Sequence, residues 1–205
     1  MRRARTDQDK AQRRSQILAT ARQLLSEQQR LPTAAEIARA AGLAKGTVYL
    51  YFASKEAIFL ALLEYYLLGW LTTLDNALAR QAGLEELIDE LVGYAEQRPA
   101  FCRLALLTQS VLEQGEDEAA ILTFKGQLAG ALGQAADRLG LERRQGAQLL
   151  QASYALLLGL WQAAHPPAVL DRLAADDRAV LVPDFASTAR ASLRALWQGL
   201  RGQEE

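Results

Sequence analysis

The run TAAEIARAAGLAKGTVYLYF, residues 33–52, leaves the backbone few choices. Thr33 stands three residues before Glu36, the spacing of a capping box, in which the hydroxyl accepts the amide of residue 36 and the carboxylate reaches back to the amide of residue 33. The helix started there is short. Gly42 follows where the chain must turn sharply, and glycine adopts a positive φ at the least steric cost. A second short helix is predicted from about Ala44 to Leu50. Ile37, Ala38, Leu43 and Val48 are spaced to share one small core with the helix before them. By itself a helix–glycine–helix unit is equally consistent with a plain helical hairpin. Read as a helix-turn-helix, its second helix would enter a DNA major groove. Its outward candidates are then Lys45, Gly46, Thr47 and Tyr49. Gly46 removes bulk where backbone could approach a phosphate, and Lys45 and Thr47 can reach phosphate or base edges.

The surrounding chain reads as helix throughout. Ala and Leu dominate, β-branched residues are sparse, and only five prolines interrupt the 205 residues, which predicts an all-α fold of about nine helices. Ile17, Leu18, Ala21, Leu24 and Leu25 recur on one helix face from about Arg14 onward. Residues 1–12 read as a mobile basic arm. Ser54 is a predicted cap for a long helix to about Arg80. Further helices are predicted at Leu84–Gln97, from Pro99, to Leu139 with Gly140 as its stop, at Glu142–Ala164, and from the cap Asp184 to about Leu200. The stretch Gly115-Glu116-Asp117-Glu118 separates two of them, and residues 165–183 form a long connection with at most a helical turn near Val169–Ala174.

Charge divides the chain. Residues 1–55 carry eleven Lys or Arg against four Asp or Glu, a local charge of +7, while the remainder holds twelve against twenty, or −8. Such asymmetry points the N-terminal part toward a polyanion. DNA and an anionic membrane surface both qualify, and charge alone does not choose between them.

Other classes are disfavoured. With one His and one Cys there is no disulfide framework, no cysteine-based zinc cluster and no metal-ligand spacing. No glycine-rich phosphate loop follows a strand. The cluster Glu85-Glu86-Asp89-Glu90 reads as a solvated helix face rather than paired catalytic carboxylates. No enzyme, metal or cofactor is therefore expected. The basic start lacks the apolar stretch of a secretory signal. The longest uncharged run, Gln145–Leu170, holds too many polar residues and prolines to span a bilayer, so a soluble cytoplasmic chain without membrane partners is expected.

The resemblance that sharpens this reading lies in about residues 12–64. The run TAAEIARAAGLAKGTVYLYFASKEAIFLALL resembles the signature of the TetR (tetracycline-repressor) family through Thr33, Ile37-Ala38, Ala41-Gly42, Gly46-Thr47-Val48-Tyr49, Tyr51-Phe52 and Ser54-Lys55-Glu56. The resemblance implies a three-helix DNA-binding domain, residues 1–54, followed by a helical effector-binding and dimerisation domain, residues 55–205. It implies DNA contacts, mostly to phosphate, from Thr33, Lys45, Thr47, Tyr49, Tyr51 and Lys55, with Phe52 in the core.

One helix-turn-helix makes few base contacts, so regulators of this kind pair on near-palindromic double-stranded sites. Gln145–Ala164 is uncharged, with small residues Ala152, Ala155, Gly159 and Ala163 at three- and four-residue steps beside Leu149, Leu156 and Leu160. The last predicted helix has a stripe of Phe185, Ala189, Ser192, Leu193, Leu196 and Leu200. The resemblance implies that these two helices form a four-helix homodimer interface, expected here at Ala152, Ala155, Leu156, Gly159, Ala163, Ala189, Leu193 and Leu196. It also implies a small-molecule pocket whose filling releases DNA. The aromatic candidates to line it are Trp70, Phe101, Phe124, Tyr154, Trp161 and His165, for a largely apolar or aromatic effector. An architectural DNA-binding protein or a helical adaptor without effector remains the rival reading, and the sequence leaves repression and activation undecided.

Overall fold

The structure is a computed structural model that describes residues 2–28, 30–107 and 118–201. Among these residues it is helical without strands: α1 (Arg2–Gln28), α2 (Ala34–Ala40), α3 (Lys45–Tyr49), α4 (Lys55–Ala79), α5 (Leu84–Glu96), α6 (Pro99–Leu106), α7 (Glu118–Arg138), α8 (Arg143–Ala164), a 3-10 turn (Ala168–Arg172), α9 (Ala175–Leu181) and α10 (Phe185–Arg201). Two outcomes differ from the sequence reading. The segment expected as a mobile arm is the first part of α1, and the long connection contains α9 in addition to a turn. Most of the separator before Glu118 lies outside the described residues, as do the side chains of Arg2, Arg3, Arg5 and Leu200.

The chain falls into two compact units. One comprises residues 1–66 and 103–127, the other residues 67–102 and 128–205. The first is built on the apolar face of α1, where Ile17, Ala21 and Leu25 are all but fully buried, together with Ile37, Ala38, Val48 and Phe52. The first part of α4 adds Ile58, Phe59, Leu62 and Leu63. α4 is long and apolar enough to cross a membrane by length and composition, with mean hydropathy 1.6, but 61% of that stretch is buried by the chain's own packing.

The second unit is held by α10, which packs on α5 and α8. Its four-residue series Phe185, Ala189, Leu193 and Trp197 is buried, the spacing that keeps side chains on one helix face. The Trp197 Nε1 donates to the Ser153 hydroxyl at 2.9 Å, and that hydroxyl donates to the Leu149 carbonyl at 2.8 Å. A polar side chain this deep is tolerated because its partners are all present. On the rim, Arg190 pairs with Asp89 at 2.6 Å and Arg194 with Glu85, while Arg80 pairs with Glu86 and Glu90. The acidic face of α5, expected to be merely solvated, is thus matched by arginines. At the α7–α8 hairpin the backbones approach closely: a β-carbon on Gly146 would lie 2.5 Å from Ala136 Cβ and 2.9 Å from Ala136 Cα.

The predicted caps are in place. Thr33 and Glu36 form the reciprocal box at the start of α2, Ala57 donates to Ser54 Oγ at 2.9 Å, and Ser187 donates to Asp184 Oδ1 at 2.9 Å. Arg30, unforeseen, donates to Glu36 as well. The Arg30 hydrogen bond, with those from the Thr33 amide and hydroxyl, pulls the Glu36 carboxyl down to about 2 from its usual 4.5. A depressed folded-state pKa means that this charge supports the fold above about 4.5 and ceases to do so as pH falls towards 2. Glu36→Gln is therefore expected to melt below the parent at neutral pH, with the difference closing as pH falls to about 2. Thermal melts of both proteins across that range check this, and a pH-independent difference would contradict it.

Candidate nucleic-acid interface and effector residues

The turn between α2 and α3 is set by Gly42, at φ +68°. The Leu43 amide then donates to the Ala38 carbonyl at 2.8 Å, and the Gln16 amide group of α1 donates to the Ala41 carbonyl at 3.0 Å. These contacts fix α3 with one face inward. Ile37 and Val48 are fully buried and Phe52 nearly so, matching the core positions expected for them.

The opposite face is open. Lys45 and Gly46 are exposed, a β-carbon at Gly46 would meet no atom within 4 Å, and Tyr49 is 43% exposed. The Lys45 ammonium lies 5.8 Å from the Tyr49 ring centroid, so cation and aromatic present one joint surface. Thr47 and Tyr51 are half-buried. Lys55, also half-buried, opens α4 and lies 3.6 Å from Glu56. Thr33 is exposed at the start of α2, but its hydroxyl already serves Glu36 as both acceptor and donor. Leu50, which the sequence reading passed over, is 83% exposed beside Tyr49. A leucine just past a helix end carries no periodic signal that would have marked it. Arg14 was likewise missed. It lies over the Phe52 ring at 4.8 Å, a contact between chain-distant residues that spacing does not reveal.

The six aromatic candidates are shared between the two units. Trp70, Phe101 and Tyr154 do meet, with ring centroids 6.2 Å apart in the Trp70–Tyr154 and Phe101–Tyr154 pairs. Trp70 and Phe101 are almost fully buried, and the Trp70 indole donates to the Leu91 carbonyl at 3.2 Å. That is the geometry of a packed core. Trp161 and His165 stack on each other at 4.1 Å, as their four-residue spacing predicts. Phe124 belongs to the other unit, where it lines a separate cavity.

The expected dimer surface needs a correction. On α8, Ala152, Ala155, Gly159 and Ala163 are exposed and Leu156 is half-buried. On α10, Ala189 and Leu193 are fully buried within their own subunit and have no surface to offer. Leu196 is half-buried, and the exposed face of α10 carries Ser187, Ala191 and Ala195 instead. The apolar stripe of this amphipathic helix satisfies the core of its own subunit first.

Comparison with known proteins agrees with this architecture. Residues 17–62 match the family described as "Bacterial regulatory proteins, tetR family", and residues 66–204 match "Tetracyclin repressor-like, C-terminal domain". The nucleoid occlusion factor SlmA of Marinomonas sp. (strain MWYL1) is 34% identical over 115 residues, which cover 53% of this chain and 56% of that protein. The match thus spans just over half the length of this relative. Among solved structures, a possible TetR family transcriptional regulator from Streptomyces coelicolor A3(2) superposes with a TM-score of 0.59 at 21% identity, over 92% of this chain and 98% of that one. The fatty acid degradation regulator FadR from Bacillus halodurans gives 0.57 at 23% identity, over 92% and 96%. At these identities the two structures speak for the fold. Together the two family matches take in most of the described chain, the helix-turn-helix included, and the chain belongs to the TetR family of DNA-binding transcriptional regulators.

Proposed function

We propose that this regulator is a homodimeric, sequence-specific repressor, which binds a near-palindromic operator in double-stranded DNA and leaves it when a small, largely apolar or aromatic effector binds. It works in the cytoplasm, without cofactor or metal. The observation that carries the reading is the orientation of α3: Val48 is turned inward, and Lys45, Gly46 and Tyr49 are turned outward on a segment of local charge +7. In this reading Lys45, Thr47 and Tyr49 meet the major groove, Gly46 allows close approach, and Thr33, Tyr51 and Lys55 hold the backbone phosphates. The exposed faces of α8 and α10 pair the protomers, which sets two such heads one helical turn apart on DNA, about 34–36 Å.

A gel-shift titration against the DNA upstream of its own gene, with a random duplex of equal length as control, tests this. A preference of about a thousandfold or more is expected of a sequence-specific regulator. Equal affinity for both duplexes would favour an architectural role, and absence of binding to either would overturn the reading. Lys55→Ala is expected to weaken binding to every duplex alike and to reduce the salt dependence by about one counterion or less. If only specific binding fell, Lys55 would be reading a base.

A further inference from the structure

One open cavity lies within the first unit. It measures about 430 Å³ and is lined by Arg14, Phe52, Glu64, Thr123, Phe124 and Gln127, among others. Its volume falls in the range that holds small organic ligands, roughly 300–1,000 Å³. Phe52 and Phe124 are 4% and 3% exposed, so the aromatic part of the wall is fixed by packing. Glu64, on α4, supplies its carboxylate. Partial burial holds that carboxyl above its usual range, and the charge of Arg14 offsets only part of the effect. The Arg14 guanidinium lies over the Phe52 ring and acts on Glu64 through its charge. The Gln127 amide faces the Glu64 carboxylate, and in the orientation that puts its nitrogen toward that acceptor it donates to the two oxygens at 2.6 and 2.8 Å. A carboxylate accepts about four hydrogen bonds, so acceptor capacity remains.

We propose that this cavity is a binding site for an amphipathic organic cation, whose ammonium or amidinium group is held by Glu64 and whose apolar or aromatic body lies against Phe52 and Phe124. Three features select that class. A partly desolvated carboxylate gains most from a cation that also donates hydrogen bonds. The rims of the Phe52 and Phe124 rings offer apolar surface to the ligand's body. An anion would meet Glu64, while Arg14, the cation of the same lining, is already engaged over the Phe52 ring. The wall also includes Tyr51, Phe52 and Ala53, which follow the cap residue Leu50 of α3. The proposal names a ligand class for the effector reading above and rests on that reading for any consequence at DNA.

The test is calorimetric titration of the full chain, without DNA, at neutral pH. The probes are 4-phenylbutylammonium, the neutral 4-phenylbutanol and the anionic 4-phenylbutyrate. The cation is expected to bind about tenfold or more tighter than the alcohol, the margin of a charge-assisted hydrogen bond, with the carboxylate weakest. Glu64→Gln keeps the shape and is expected to erase the preference for the cation. Thr123→Trp, on the exposed side of α7, is expected to fill the cavity and abolish binding of all three with Glu64 untouched. Should Glu64→Gln fail to fold by circular dichroism, Thr123→Trp decides alone. Equal affinity for the three probes, cation binding that survives either substitution, or no binding at all would overturn the proposal. Because DNA is absent, failure here is distinguishable from failure of operator recognition, which the gel shift reads separately.

Discussion

Replacing Trp197 with alanine is expected to destabilise the fold by about 3–5 kcal/mol, the range for a buried large aromatic. For a chain of this size that corresponds to a melting temperature lower by roughly 6–20 °C. Trp197 is 2% exposed at the end of the four-residue series on α10, so its removal leaves a void that packed neighbours fill only in part. It is also one end of the bonded relay through Ser153 to Leu149. Ser153→Ala separates the two contributions. It keeps the indole but strips its acceptor, at a cost of about 1–3 kcal/mol for the stranded donor. Thermal denaturation followed by circular dichroism ranks the variants. A Trp197→Ala protein that melts within a degree or two of the parent would mean that α10 is not the keystone of the second unit.

Gly159→Arg is expected to yield folded monomers whose operator affinity falls by about two to four orders of magnitude, the range over which linked binding exceeds single-site binding. Gly159 is exposed and a β-carbon there meets no atom within 4 Å, so the arginine has room within its own subunit and the monomer should stay folded, its melting temperature lowered only by what the lost partner contributed. Between two such faces, however, it would place a charge where Ala152, Ala155 and Ala163 otherwise permit close helix approach. Sedimentation velocity and the operator titration, run on the same preparation, check both halves of the expectation. An intact dimer would show that the α8 face is not where the protomers meet.

How far the sequence could be read depends on the kind of signal. Local signals were legible. The Thr33–Glu36 box, the Gly42 turn and the Ser54 and Asp184 caps each depend on residues three or four apart, and each stands where it was expected. Signals between distant segments were not. The match of Arg190 and Arg194 with the acids of α5 joins residues about a hundred positions apart, and α5 alone looks solvated. Periodicity found the apolar stripe of α10 but could not tell whether that stripe served its own subunit or a partner, which is why Ala189 and Leu193 were misplaced. The short helix α9 escaped because it has no buried residue and therefore no apolar period to detect. For the candidate interface, helix phase put Lys45, Gly46, Thr47 and Tyr49 outward, of which Thr47 is half-buried and the other three exposed, whereas the cavity at Glu64 required the approach of α7 to α4.

The tight passage of α7 against α8 limits how this regulator can diversify. Every codon one nucleotide from a glycine codon that still encodes another amino acid brings a β-carbon, and at position 146 that atom would fall within 3 Å of Ala136. Compensation at the facing position would not reopen the site, because one of the two obstructing atoms is the backbone Cα of residue 136, which persists whatever side chain it bears. Any residue but glycine at position 146 therefore requires the α7 and α8 backbones to move apart, so divergence in operator or ligand comes at least cost from residues elsewhere.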